Sequence, residues 1–178
     1  MKKINQLAVG AALLFGAASL SSCSEENNAM IGTWTSSTPE VVVPAIEGAT
    51  SATAITTFEF SEGTEKGNGP VKMTKDYTVT APDSVGNAIN YTVKASVEGK
   101  WTREDKGDDD YYLSFDQNTL DVAGVDAPDG LGAVTANFLG SLAQYSKIED
   151  VDVTKDGSVL SFELESTDAK VSFARVAR

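Results

Sequence analysis

One thiol, at Cys23, and no histidine at all set the limits of what this chain can do chemically. Without histidine there is no Ser-His-Asp triad and no Cys-His nucleophile; with one cysteine there is no intrachain disulfide and no Cys/His zinc site. Carboxylate pairs, Ser-Lys arrangements, tyrosine and oxygen-ligated metals remain. Acidic residues number 26 against 14 basic in 178, and their densest run is Asp105-Lys106-Gly107-Asp108-Asp109-Asp110. A calcium loop needs oxygens that converge on one ion and a closing glutamate; adjacent side chains cannot converge and that glutamate is missing. The run is expected to be an acidic hairpin turn. Other acidic side chains fall in turns and at outward strand positions, as a solvated surface requires. The expectation is therefore a non-catalytic chain with no catalytic residue, no metal and no cofactor.

The thiol is placed for covalent modification. Met1-Lys2-Lys3 gives a charged start, and Ile4–Leu20 carries no charge, which is the pattern of a secretory signal. That apolar run is interrupted by Asn5 and Gln6 and stands at the short limit for a membrane span. Leu20-Ser21-Ser22-Cys23 resembles a bacterial lipoprotein box. The resemblance implies cleavage before Cys23 and lipid (diacylglyceryl thioether, then palmitate) on the new N-terminus. Two or more acyl chains make such an attachment stable, so membrane contact is expected through the anchor on Cys23. Residues 1–22 are then the signal peptide, 23–29 a lipidated, flexible tether, and 30–178 the folded domain. Glu25 and Glu26 are similar to the surface-export signal of Bacteroidetes lipoproteins, and Ser24 fits outer-membrane sorting. This implies an outer-membrane protein facing the cell exterior; the alternative is an ordinary solvated tether.

Removing 22 of 178 residues leaves 156, and because Lys2 and Lys3 are lost, 12 basic against 26 acidic residues give a net charge of −14. Nucleic acid is disfavoured as a partner, since phosphate binding needs a basic surface, and so are anionic lipid heads. A chain of this length forms one domain burying roughly 70% of its unfolded surface.

Period-two alternation then dominates. Ile31–Ser36 is a first strand with Trp34 on one face. Ser37–Ala52, with two prolines around an apolar knot from Val41 to Ile46, is a long loop or irregular edge. Thr56, Phe58 and Phe60 share a face, as do Val71, Met73, Tyr77 and Val79, and Ile89, Tyr91, Val93, Ala95 and Val97. The last strand runs through Gly99, a bulge or kink, to Trp101 and Arg103. Tyr111–Phe115 and Thr119–Val125 are expected to form a hairpin turned by Asp116-Gln117-Asn118. Asp126 and Pro128 mark a helix start, and Leu131, Val134, Phe138, Leu139, Leu142 and Tyr145 form one apolar stripe. Three more strands follow, Ile148–Thr154, Val159–Glu165 and Ala169–Val176, joined by short turns.

Eight or nine sequential strands with one helix predict an all-β, up-and-down antiparallel barrel, since closure removes exposed edges. Gly32-Thr33-Trp34 resembles the Gly-x-Trp of lipocalins, and Val171-Ser172-Phe173-Ala174-Arg175 their last strand; the whole is similar to the lipocalin-like domains of Bacteroidetes lipoproteins. The resemblance implies that Arg175 crosses Trp34 and closes the barrel structurally. An immunoglobulin-like sandwich is the alternative, although its Cys…Trp…Cys frame is missing and an internal helix is foreign to it. Two functions follow. A barrel of this size holds one small apolar ligand, lined by Phe58, Phe60, Met73, Tyr77, Tyr91, Trp101, Phe115, Phe162 and Phe173, or is filled by side chains. In the second case the protein is a structural or interaction subunit of an envelope assembly, with Val41–Ile46 as contact patch. The sequence names neither the ligand nor any protein partner.

Overall fold

Among the described residues, alternating β-branched and aromatic side chains form nine antiparallel strands: β1 Gly32–Ser36, β2 Glu40–Val41, β3 Ser51–Phe60, β4 Asn68–Pro82, β5 Ala88–Arg103, β6 Tyr111–Val125, β7 Lys147–Val153, β8 Val159–Leu164 and β9 Ala169–Arg175. The structure is a computed structural model and describes residues 29–42, 46, 48–104, 109–125 and 131–177. Expectations at Cys23, Glu25, Glu26, Asp105–Asp108, Asp126 and Pro128 lie outside the described residues.

All nine strands belong to one sheet, in the order β1-β9-β8-β7-β6-β5-β4-β3-β2, and β1 also pairs with β3. The meander therefore closes into a ring, and a sandwich of two sheets is ruled out. β2 is not a separate stave of the ring. Thr35 faces Thr57 and Glu40 faces Ala54, so β1 advances five residues while β3 advances three, and the two extra residues bulge out around Pro39. Proline removes a ladder donor, which is why the break falls there. Eight staves remain, the first of them interrupted.

Two expectations need correction. The predicted hairpin within 111–125 is one continuous strand along β5, whose register jumps from Asp116↔Glu98 to Asp121↔Ser96. Turn chemistry is present: Asp116 Oδ1 accepts from the Asn118 backbone N–H (3.0 Å), and the Thr119 hydroxyl donates to Asp116 O (2.7 Å) while accepting from Glu98 N (2.8 Å). Because β5 continues as the partner on both sides, that turn makes a wide bulge instead of reversing the chain. Gly99 follows the irregularity and allows close approach, since a Cβ there would overlap the Ser114 carbonyl. The second correction concerns the knot at 41–46, expected as a contact patch. Val42 and Ile46 are buried in the core and only Val41 is exposed among its described residues.

The helix α1, Leu131–Leu142, continues as a 3-10 turn to Tyr145. Val134, Phe138, Leu142 and Tyr145 make its buried stripe. Its position answers a gap in the ring, because β6 pairs with β7 only at Tyr111↔Ile148 and Tyr112↔Lys147. Beyond that seam the helix packs on β5 and β6. The seam is reinforced outside by Lys147, whose ammonium meets Glu149 (2.8 Å), Glu165 (3.3 Å) and Glu104 (3.4 Å). These carboxylates, Glu149 foremost, hold the Lys147 pKa well above its usual range.

Inside the ring, Phe58 is the centre of an aromatic cluster with Tyr145 (5.1 Å between centroids), Phe173 (5.4 Å) and Phe60 (5.6 Å), and Phe162 stacks on Phe173 at 5.3 Å. Such pairs add about 0.5–1.5 kcal/mol each beyond their buried area.

Candidate functional site

The inward face of β4 runs Val71, Met73, Lys75, Tyr77, Val79, so strand parity carries a lysine into the core. Lys75 is the only charged residue buried among the described residues. A buried ammonium is costly unless it is paired. Its counter-ion is Glu40 of β2, whose Oε2 accepts from Nζ at 2.8 Å. The two ends are unlike: the Lys75 side chain is 1% exposed and that of Glu40 46%. Lys75 is fixed between Thr56 and Ala95 in the two longest unbroken ladders of the sheet, whereas β2 is held by two register pairs and the Val42 N–H to Ala52 O bond (3.0 Å).

Polar groups gather around this pair. The Tyr77 hydroxyl donates to Asn137 Oδ1 of α1 at 3.0 Å, and Tyr145 and Thr56 are both buried. Burial, reinforced by the Glu40 carboxylate, pushes the Tyr145 phenol up to about 12 and moves Tyr77 further in the same direction. Both phenols stay protonated at neutral pH and can donate hydrogen bonds. The arrangement can hold a carboxylate against one ammonium. Among the described residues no three acidic, histidine or cysteine side chains come together as a metal site.

At the junction of β1 and β9 the structure brings Trp34 and Arg175 together as register partners. The guanidinium lies 4.4 Å from the indole centroid. Arg175 is exposed on its outer side, so it covers the end of the ring instead of entering it. Trp34 Nε1 donates to Met30 O at 2.8 Å, and Arg175 Nη2 to Ala29 O at 3.4 Å. Gly32 lies beneath this contact: its φ is +144°, which favours glycine, and a Cβ there would touch Arg175 Nη1 at 3.4 Å.

Cys23, the expected lipidation site, lies outside the described residues. Sequence reasoning missed Lys75 and Glu40, although the signal for Lys75 was its position in the alternation between Met73 and Tyr77. Nothing in the sequence tied Glu40 to it, since the bulge at Pro39 sets where β2 falls. Outside, the described grooves are open; one of about 610 Å³ runs between the Glu62–Glu65 turn and Lys100–Thr102.

No family model matches the chain, and no match is found among curated proteins or solved structures.

Proposed function

We propose that this protein is a lipid-anchored envelope protein whose ring has a packed core and which works through its outer surface, as an interaction subunit at the membrane. The observation that carries this reading is the filling of the ring. Trp34, Phe58, Met73, Lys75, Phe138, Leu160 and Phe162 are each less than 2% exposed. A ligand-sized void would leave accessible surface on its lining, and native cores hold few voids larger than a water. Val42 and Ile46 of the apolar knot are likewise drawn into the core, so they add to its packing and are not the outer contact surface.

Attachment rests on Cys23 and the apolar stretch before it. Among the described residues no helix is long and apolar enough to cross a membrane. The outer leaflet facing the exterior is proposed from Glu25 and Glu26 alone. Fractionation of cells expressing Cys23→Ala tests the anchor: the variant is expected in the soluble fraction, and its retention in membranes would overturn it. Chemical crosslinking on intact cells tests the role, with crosslinks from the outer strand faces to another envelope protein expected and recovery of uncrosslinked protein alone contradicting it.

A further inference from the structure

Lys75 is locked in the middle of the sheet, while its counter-charge arrives on the least-held strand and is half open to water. A fixed buried cation facing an exchangeable anion is a binding site that already has an occupant. We propose that Lys75 forms a carboxylate-binding site, that Glu40 fills it in the resting protein as a built-in plug, and that its ligands are small monocarboxylates. This goes beyond the surface role proposed above and does not depend on it.

The chemistry selects the class. One ammonium offers a single positive charge, which matches a monoanion; a dianion would bring a second charge into a core whose only buried cation, among the described residues, is Lys75. The nearby Tyr77 and Tyr145 phenols are neutral and add no competing anion. On the buried face of β4 Met73 precedes and Tyr77 follows Lys75, and Ala95 of β5 is its register partner, so the surroundings suit a short alkyl tail. The opening is the segment Ser37–Val42, since the bulge around Pro39 leaves β2 with only two register pairs to break.

Substitution of the plug isolates the site. Glu40→Ala removes a CH2–COO⁻ unit, the equivalent of acetate. In the full chain, Glu40→Ala is expected to have a lowered Tm that sodium acetate or formate raises saturably, while sodium chloride at equal ionic strength does not. The wild type should respond little, because Glu40 already occupies the site. Adding Lys75→Met to Glu40→Ala should abolish the carboxylate response. If Glu40→Ala does not fold alone, its refolding yield with acetate against chloride reads the same site, with recovery expected only in acetate. Equal effects of acetate and chloride, or an acetate response that survives Lys75→Met, would overturn the proposal.

Discussion

Arg175 and Trp34 face each other across the junction of the last and first strands, with the guanidinium 4.4 Å from the indole centroid. This contact sits where the ring closes. A cation over an indole is worth about 0.5–1 kcal/mol at an exposed site and about 2 when desolvated. Arg175→Ala should therefore cost more than the roughly 0.5 kcal/mol of an ordinary surface change. Combined with Trp34→Phe it should be non-additive, because both changes remove one interaction. Urea denaturation of the double-mutant cycle measures the coupling, and strict additivity would mean that the contact contributes nothing.

The ion pair in the core predicts an asymmetry. Removing Glu40 strands a buried ammonium, which costs about 3–5 kcal/mol for a broken buried pair. Removing Lys75 leaves Glu40 46% exposed and free to turn to water. Lys75→Met, of similar volume, should be near neutral or stabilising, as replacements of buried ions by apolar groups often are. Equilibrium unfolding of Glu40→Ala and Lys75→Met separates the two; equal losses would contradict the assignment of Lys75 as the buried partner.

These two sites also mark how far the sequence was legible. Alternation in Val71, Met73, Tyr77 and Val79 located β4 and its inward face, and the lysine of the same parity was readable there. The bulge at Asp116–Thr119 was not: an Asx turn looks alike whether the chain reverses or not, and only the unbroken partner strand β5 decides. Glu40 escaped because a two-residue strand has no period, and its place depends on how many residues loop out at Pro39. Trp34 and Arg175 were legible because each lies on a regular strand, and in a closed meander first and last strands must meet.

Alkaline pH should loosen the core. The Tyr145 phenol, ordinarily at 10.0, is pushed up to about 12 by burial and by Glu40. The folded state thus holds this proton more tightly than the unfolded chain does. That contribution is complete below pH 10 and is lost as pH rises through 12; Tyr77 shifts in the same direction. Denaturation midpoints followed from neutral to alkaline pH should fall in this window, and Tyr145→Phe should flatten the fall. A flat profile in the unaltered protein would place the phenols in water.

Glycines should separate by their surroundings. At Gly99 a methyl group meets the Ser114 carbonyl and forces β5 and β6 apart, so Gly99→Ala should cost about 1–3 kcal/mol, as overpacking does. Gly140 in α1 has nothing near its missing Cβ, and Gly140→Ala should stabilise by up to about 1 kcal/mol through helix propensity. Thermal unfolding of both variants checks the pair, with loss at Gly140 the contrary result.

The central claim, a ring filled by its own side chains, is tested most directly by native mass spectrometry of the lipoprotein released from detergent micelles. The account predicts the mass of the polypeptide with its Cys23 anchor and nothing more, because among the described residues inward side chains such as Phe58, Met73 and Phe162 have no accessible surface. A stoichiometric apolar small molecule retained with the protein, and lost only on denaturation, would contradict it.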